Sequence, residues 1–335
     1  MKQLLKLSAA SLLVVGALSV QASTLSDVQA KGYVSCGVSK GLAGFSSADS
    51  SGTWTGVDVD VCRAVAAATL GDAQKVKFVP LTAKERFTAL QSGEIDMLSR
   101  NTTWTITRDA SLGLNFAGVN YYDGQGFMVK SSLGVSSAME LSGAAVCIQA
   151  GTTTELNLAD WGKANGIEYN SVVSDTNAQT LTNYDAGRCD VLTTDASGLY
   201  SMRAAASDPS EHVVLPEIIS KEPLGPVVRQ GDDQWFNIVR WSLNAMITAE
   251  ELGVTSATVD DVSNNPERER LMGRSGSTHE YVGLTPDWTY QIVKQVGNYS
   301  ESFERNIGIN TPIGIARGVN ALWTDGGILY SPPFR

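Results

Sequence analysis

A strand, helix, strand, helix, strand order that runs once and then restarts constrains this chain more than anything else in its sequence. In the first round, residues 33–38 form a strand-like run and 54–60 lead into an alanine-rich helix over 61–68. Residues 75–80 read as a second strand, 83–91 as a helix stopped by Ser92 and Gly93, and 95–98 as a third strand. Asp58 and Asp60, at the start of the first helix, suit its dipole. The second round places strands at 144–148, 171–173 and 189–192, with helices opening at Gly151 and over 178–186. The order predicts two tandem α/β units, each with a mainly parallel sheet. After them, 234–249 read as an amphipathic helix and the remainder, to Arg335, as a polar, glycine-rich tail.

Residues 1–22 have the form of a secretory leader: Lys2 and Lys6 precede an apolar run, and Val20-Gln21-Ala22 fits a cleavage site. The run is too short, and its polar sequel too abrupt, for a membrane anchor. No later segment is apolar for long enough to span a bilayer, so a soluble, exported product is expected. Removing the leader from 335 residues leaves about 313, more than one hydrophobic core usually serves. Without Lys2 and Lys6 the basic count falls from 25 to 23 against 35 acids, a net charge of −12. Such a field argues against nucleic acid or an anionic membrane as partner. Cys36, Cys62, Cys147 and Cys189 are too widely spaced for a metal site, and in an exported chain they read as disulfides. Of three possible pairings, Cys36 with Cys62 and Cys147 with Cys189 keeps each bridge inside one unit; buried reduced thiols are the alternative.

In open α/β sheets, ligands collect beyond the carboxyl ends of the strands, and three segments here occupy such ends. Residues 101–108, from Asn101 through Thr103 to Arg108, offer hydroxyls, an amide and a guanidinium to a carboxylate. Gly151, Thr152 and Thr153 offer free N–H groups and the positive end of a helix, again suited to a carboxylate. Asp195 offers the opposite charge, suited to an ammonium. Together they describe the backbone of an α-amino acid held at both ends. Each signal has an ordinary counterpart: capping for 151–153 and for Asp195, and a surface ion pair with Asp109 for Arg108.

The chain resembles the periplasmic amino-acid-binding proteins of ABC importers, in the group that binds polar or general L-amino acids, and the likeness covers nearly the whole mature chain. Residues 56–61, Gly-Val-Asp-Val-Asp-Val, are similar to the family's signature, with Val57 smaller than usual. Asn101, Thr103 and Arg108 match the positions that hold the ligand carboxylate, Asn101 replacing a serine. Thr153 matches a residue whose N–H and hydroxyl meet the same group, and Asp195 the acid that receives the ammonium. The resemblance implies a two-lobed, type II periplasmic binding fold, with each lobe a mixed, mainly parallel sheet flanked by helices. The lobes would comprise 23–126 with 227–335, and 127–226.

Leu42 stands where cation binders place an aromatic lid, and Ser39, followed by Lys40, where they place an acid. A strongly cation-selective pocket is therefore disfavoured. Arg86 resembles an arginine directed at a side-chain carboxylate, and Asn177 falls near another side-chain position; a solvated helix residue is the alternative for Arg86. Leu42 and Phe45 would give an adaptable apolar wall. Glutamate, glutamine, aspartate or asparagine are the expected ligands, with a broad range allowed. A membrane permease is the implied partner, and a monomer without cofactor or metal is expected. The alternative is an enzyme on the same fold, such as a cyclohexadienyl-type dehydratase. Against it, His212 and His279 lie away from the cluster, His212 reading as a loop residue, and no nucleophile with a base partner is visible. A third reading, the sensor domain of a receptor, would call for a membrane-spanning helix.

Overall fold

The structure, a computed structural model, describes residues 23–261 and 265–335; the expected leader at 1–22 lies outside them. The chain opens with α1 (Thr24–Lys31), β1 (Val34–Ser39), a short hairpin of β2 (Ser47–Ala48) and β3 (Trp54–Thr55), α2 (Val57–Leu70), β4 (Val76–Leu81), α3 (Arg86–Gln91), β5 (Met97–Leu98) and β6 (Leu114–Phe116). It crosses along β7 (Tyr121–Asp123) to β8 (Gln125–Lys130), β9 (Ala145–Gln149), α4 (Thr153–Asn165), β10 (Asn170–Ser174), α5 (Asn177–Asp185), β11 (Val191–Asp195), α6 (Ala196–Ala205) and β12 (His212–Val214). It returns along β13 (Glu222–Leu224) to β14 (Val227–Arg229) and α7 (Asp233–Glu251).

Two five-stranded sheets result, ordered β4-β1-β5-β14-β6 and β10-β9-β11-β8-β12. In each, the first three strands are parallel, the fourth, β14 or β8, runs against them, and the fifth, β6 or β12, runs with them again. The two crossings, β7 and β13, pair antiparallel with Asp123 opposite Glu222. The molecule is therefore two α/β lobes joined by a two-stranded ribbon, as the repeated pattern predicts. One disulfide, Cys36–Cys62, ties β1 to α2 with Cα atoms 6.1 Å apart; the other, Cys147–Cys189, ties β9 to the turn before β11 at 5.6 Å. Both pairings are the expected ones. Among the described residues no helix is long and apolar enough to cross a membrane.

Three expectations change. The helix expected over 61–68 starts earlier, at Val57, so both acids of the signature lie in its first turn and are buried. They do more than complement a dipole. Asp60 accepts hydrogen bonds from Ser302 Oγ (2.6 Å), Arg305 Nη2 (2.6 Å) and Asn306 Nδ2 (2.7 Å), which fixes the far end of the chain on α2. Gly56 is needed because its φ is +134° and a Cβ there would overlap the Phe45 carbonyl. His212, expected in a loop, begins β12 and is buried, with Nδ1 3.2 Å from Tyr184 Oη.

The third change concerns the tail, which is packed structure carrying α8 (Pro266–Leu271), α9 (Thr278–Val282), α10 (Trp288–Val296) and α11 (Tyr299–Asn306). It grips the first crossing. Tyr299 Oη donates to the Asn120 carbonyl (2.7 Å), and the Asn320 side chain accepts from Tyr122 N–H (2.7 Å) and donates to the Tyr122 carbonyl (3.0 Å). Arg317, itself held by Glu250 at 2.9 and 3.1 Å, donates to the Asn320 carbonyl.

Asp60→Ala removes three charge-assisted contacts but leaves Arg305 access to solvent, so a loss of about 2 kcal/mol of stability is expected in urea unfolding. A change below about 0.5 kcal/mol would mean that the anchor of α11 lies elsewhere.

Candidate functional site

The loop after β5 is shaped by a buried carboxylate. Asp58, at the start of α2, accepts from Asn101 N–H (2.7 Å), Asn120 Nδ2 (3.0 Å) and Ser99 Oγ (3.2 Å). Burial pushes its carboxyl up, and these donors with the Arg100 charge partly offset that. Asn101 consequently takes a φ of +34°, a left-handed conformation that asparagine tolerates better than most residues. Thr103 bridges to Leu224 of the return crossing through Trp104 N–H to Pro223 and Gly225 N–H to Thr102. Those bonds use the flanking residues and leave the Thr103 N–H outside the ladder.

Three arginines converge behind this loop, Arg86, Arg100 and Arg108, and all are buried. Arg108 donates from Nη1 to the Thr103 carbonyl (2.9 Å), and Arg100 from Nε to the Leu81 carbonyl (3.1 Å). Arg86, only 2 % exposed, reaches the Arg100 carbonyl and Thr102 Oγ1 at 3.4 Å each, and its Nε has no partner. Phe87 lies between Arg86 and Arg108, its ring centroid 4.8 and 5.2 Å from their guanidinium carbons. Burial, then mutual repulsion, holds the Arg86 guanidinium well below the usual arginine range; for Arg100 burial brings the value down to about 10.

Three acids face them. Asp195, the last residue of β11, stands at the N-cap position of α6 yet makes no capping bond with its side chain. It is 7 % exposed. Burial first, then Asp123 and Glu222, push its carboxyl well above the usual range, against the pull of a hydrogen bond with the Asn101 side chain and the Arg86 charge. Asp123 accepts from Gly124 N–H (2.8 Å) and from Ser197 Oγ, and burial lifts its carboxyl to about 6. Glu222 accepts from Thr153 Oγ1 (2.9 Å), Asn157 Nδ2 (2.6 Å) and Ser220 Oγ (2.7 Å). Arg108 feels Glu222 and Asp195 as its principal counter-charges.

Asn101, Thr103, Arg108, Thr153, Asp195 and Arg86 thus meet at one cleft, whose two sides touch at Thr103 Oγ1 to Thr153 Oγ1 (3.4 Å) and at Lys84 to Asp175 (2.8 Å). The surface pair weighed for Arg108 does not form: Asp109 instead accepts from Trp104 Nε1 at 3.1 Å. Leu42 and Asn177 line one groove with Leu181 and Met202. Phe45 is fully buried and packs edge-on against Tyr121, with centroids 5.5 Å apart. The Thr153 hydroxyl, expected to point at a carboxylate, gives its proton to Glu222. Asp58, Asp123 and Glu222 were not anticipated at the site; Asp123 and Glu222 come together only because the two crossings pair.

Three comparisons bear on this arrangement. The family described as bacterial extracellular solute-binding proteins, family 3, matches residues 34–258. The general L-amino acid-binding periplasmic protein AapJ of Rhizobium johnstonii is 61 % identical over 97 % of either chain, and the glutamate/glutamine/aspartate/asparagine-binding protein BztA of Rhodobacter capsulatus 56 % identical over 96 %. A solved ABC transporter periplasmic binding protein from Brucella ovis with glutathione bound superposes with a TM-score of 0.92 at 57 % identity, covering 94 % of this chain and 100 % of that one.

Because the Asp123 carboxyl is lifted to about 6 from an ordinary 3.8, the folded protein holds a proton there that the unfolded chain releases at lower pH. Its contribution to stability is complete below the ordinary value and is lost as pH rises through 6, each unit of displacement being about 1.4 kcal/mol. The ligand-free protein should therefore melt lower at pH 7 than at pH 4.5, and Asp123→Asn should flatten that fall. Parallel melting curves for the two proteins would contradict the assignment.

Proposed function

The chain belongs to the bacterial extracellular solute-binding proteins, family 3, and from that membership we propose that it is the extracytoplasmic solute-binding component of an ABC importer, capturing L-amino acids. The observation that carries the reading is one cleft in which buried arginines and the start of α4, which no side chain caps though Glu155 takes the Gly151 N–H, face a buried acid that caps nothing, the complement of a zwitterion. Arg108, Asn101, Thr103 and Thr153 hold the α-carboxylate, the threonines through their N–H groups, and Asp195 receives the ammonium. Arg86, with an unpartnered Nε, reads the polar end of the ligand side chain. Leu42, Asn177 and, from behind, Phe45 shape the rest of that pocket. Glutamate, glutamine, aspartate and asparagine fit best, as the name of the Rhodobacter relative suggests. A wider range follows the Rhizobium protein, and a γ-glutamyl ligand such as the glutathione of the Brucella structure presents the same two charged groups.

Each lobe supplies part of this site, so a ligand makes more contacts when the lobes are together and shifts the population that way. The lobes are 23–126 with 227–335 and 127–226, turning about β7 and β13. Several charge-assisted hydrogen bonds of about 1.5–3 kcal/mol each, less the cost of ordering, reach a micromolar constant of about −8 kcal/mol. The protein works as a monomer in the periplasm after leader removal, binds without catalysing, and delivers its ligand to the permease.

Calorimetric titration should give micromolar binding of the four named amino acids and weaker binding of arginine and lysine. Asp195→Ala should cost at least about thirtyfold in affinity. Arg86→Gln should weaken glutamate and aspartate roughly tenfold more than their amides. No heat from any α-amino acid, or turnover of a carboxylic ligand, would overturn the reading.

A further inference from the structure

Glu222 is buried where the chain returns between the lobes, and its three contacts have a fixed direction. A carboxylate only accepts, so Thr153, Asn157 and Ser220 all donate to it. Ser220 Oγ is in turn the acceptor for Gln125 N–H at 3.1 Å, which leaves its proton for Glu222. Thr153 has one hydroxyl proton, and Glu222 takes it. What Thr153 Oγ1 offers the cleft is therefore lone pairs, and the group facing them at 3.4 Å is the Thr103 hydroxyl from the other lobe. Thr103 can satisfy Thr153 only by donating. Its own oxygen then keeps its lone pairs for the cleft.

We propose that Glu222 is a positioning residue for ligand selection: by polarising the Thr103–Thr153 hydroxyl pair toward itself, it makes both hydroxyls acceptors on the ligand side and so selects an α-ammonium over an α-hydroxyl or hydrogen. The carboxylate of the same ligand is left to Arg108 and to backbone N–H groups. This rests on the reading of Asp195 as the ammonium acceptor. A glutamine at 222 reverses the chain. Asn157 Nδ2 and Ser220 Oγ, both donors, hold the amide oxygen on their side, so the amide NH2 faces Thr153 and donates to it. Thr153 must then turn its proton toward Thr103 and the cleft, where an ammonium would meet a donor.

The test uses the mature protein and two probes that differ at one group, L-glutamate and 2-hydroxyglutarate, the second measured by competition. Glu222→Gln should weaken glutamate about tenfold or more and leave 2-hydroxyglutarate within about twofold or strengthen it, collapsing the ratio of the two. Thr153→Val, which cuts the chain, should lower the ratio too, and the double variant should add nothing to the larger single effect. Asn157→Ala, which loosens Glu222 without reversing any donor, should keep the ratio of wild type. Equal losses for both probes in Glu222→Gln and in Asn157→Ala would reduce Glu222 to packing and overturn the proposal, as would an unchanged ratio in Glu222→Gln and Thr153→Val together. Failure of the wild type to bind glutamate at all would instead sink the site reading on which the proposal stands.

Discussion

Three guanidinium groups buried side by side repel one another, and the arrangement of the cleft follows from how that charge is met. Backbone carbonyls take part of it, from Leu81, Arg100 and Thr103. Asp58 answers Arg100, and across the cleft Asp195 and Glu222, which themselves crowd Asp123, meet Arg86 and Arg108. Neither group is at ease with its own kind. A ligand that brings a carboxylate to the arginines and an ammonium to the acids relieves both sides at once, whereas a ligand with one charge relieves one side only. On the proposed reading of the site, selectivity for a zwitterion follows from where the charges are buried, before any side-chain pocket is considered.

The scaffold serves this through two aspartates spaced by one residue on the first turn of α2. Asp58 turns inward to the backbone of the site loop, and Asp60 turns outward to α11. One helical turn therefore fixes both the donor geometry of the cleft and the packing of the tail. The Cys36–Cys62 bridge fastens the same helix to β1.

The two lobes, both disulfides and the placement of residues 101–108 and Asp195 at strand ends were legible in the sequence because each depends on a local pattern: alternating strands and helices, even cysteines within one unit, polar residues directly after a strand. Arg86 was half legible, since a helix position alone does not say whether the side chain meets solvent or the cleft. Glu222 and Asp123 were not legible as site residues. Nothing in their neighbourhoods announces a site, and their role arises only when two crossings 99 positions apart pair and place Asp123 opposite Glu222. The tail misled for a related reason: its glycines and polar residues resemble a loose end, while the contacts that order it, Asp60 to Ser302 and Tyr122 to Asn320, span most of the chain.

That tail reaches the first crossing through backbone groups of Asn120 and Tyr122 and, in these contacts, through none of the residues assigned to the ligand. The tail thus holds the ribbon through groups other than those proposed to meet the ligand. Substitution at Arg317 or Asn320 would loosen that hold on the first crossing while leaving in place every group proposed to meet the ligand.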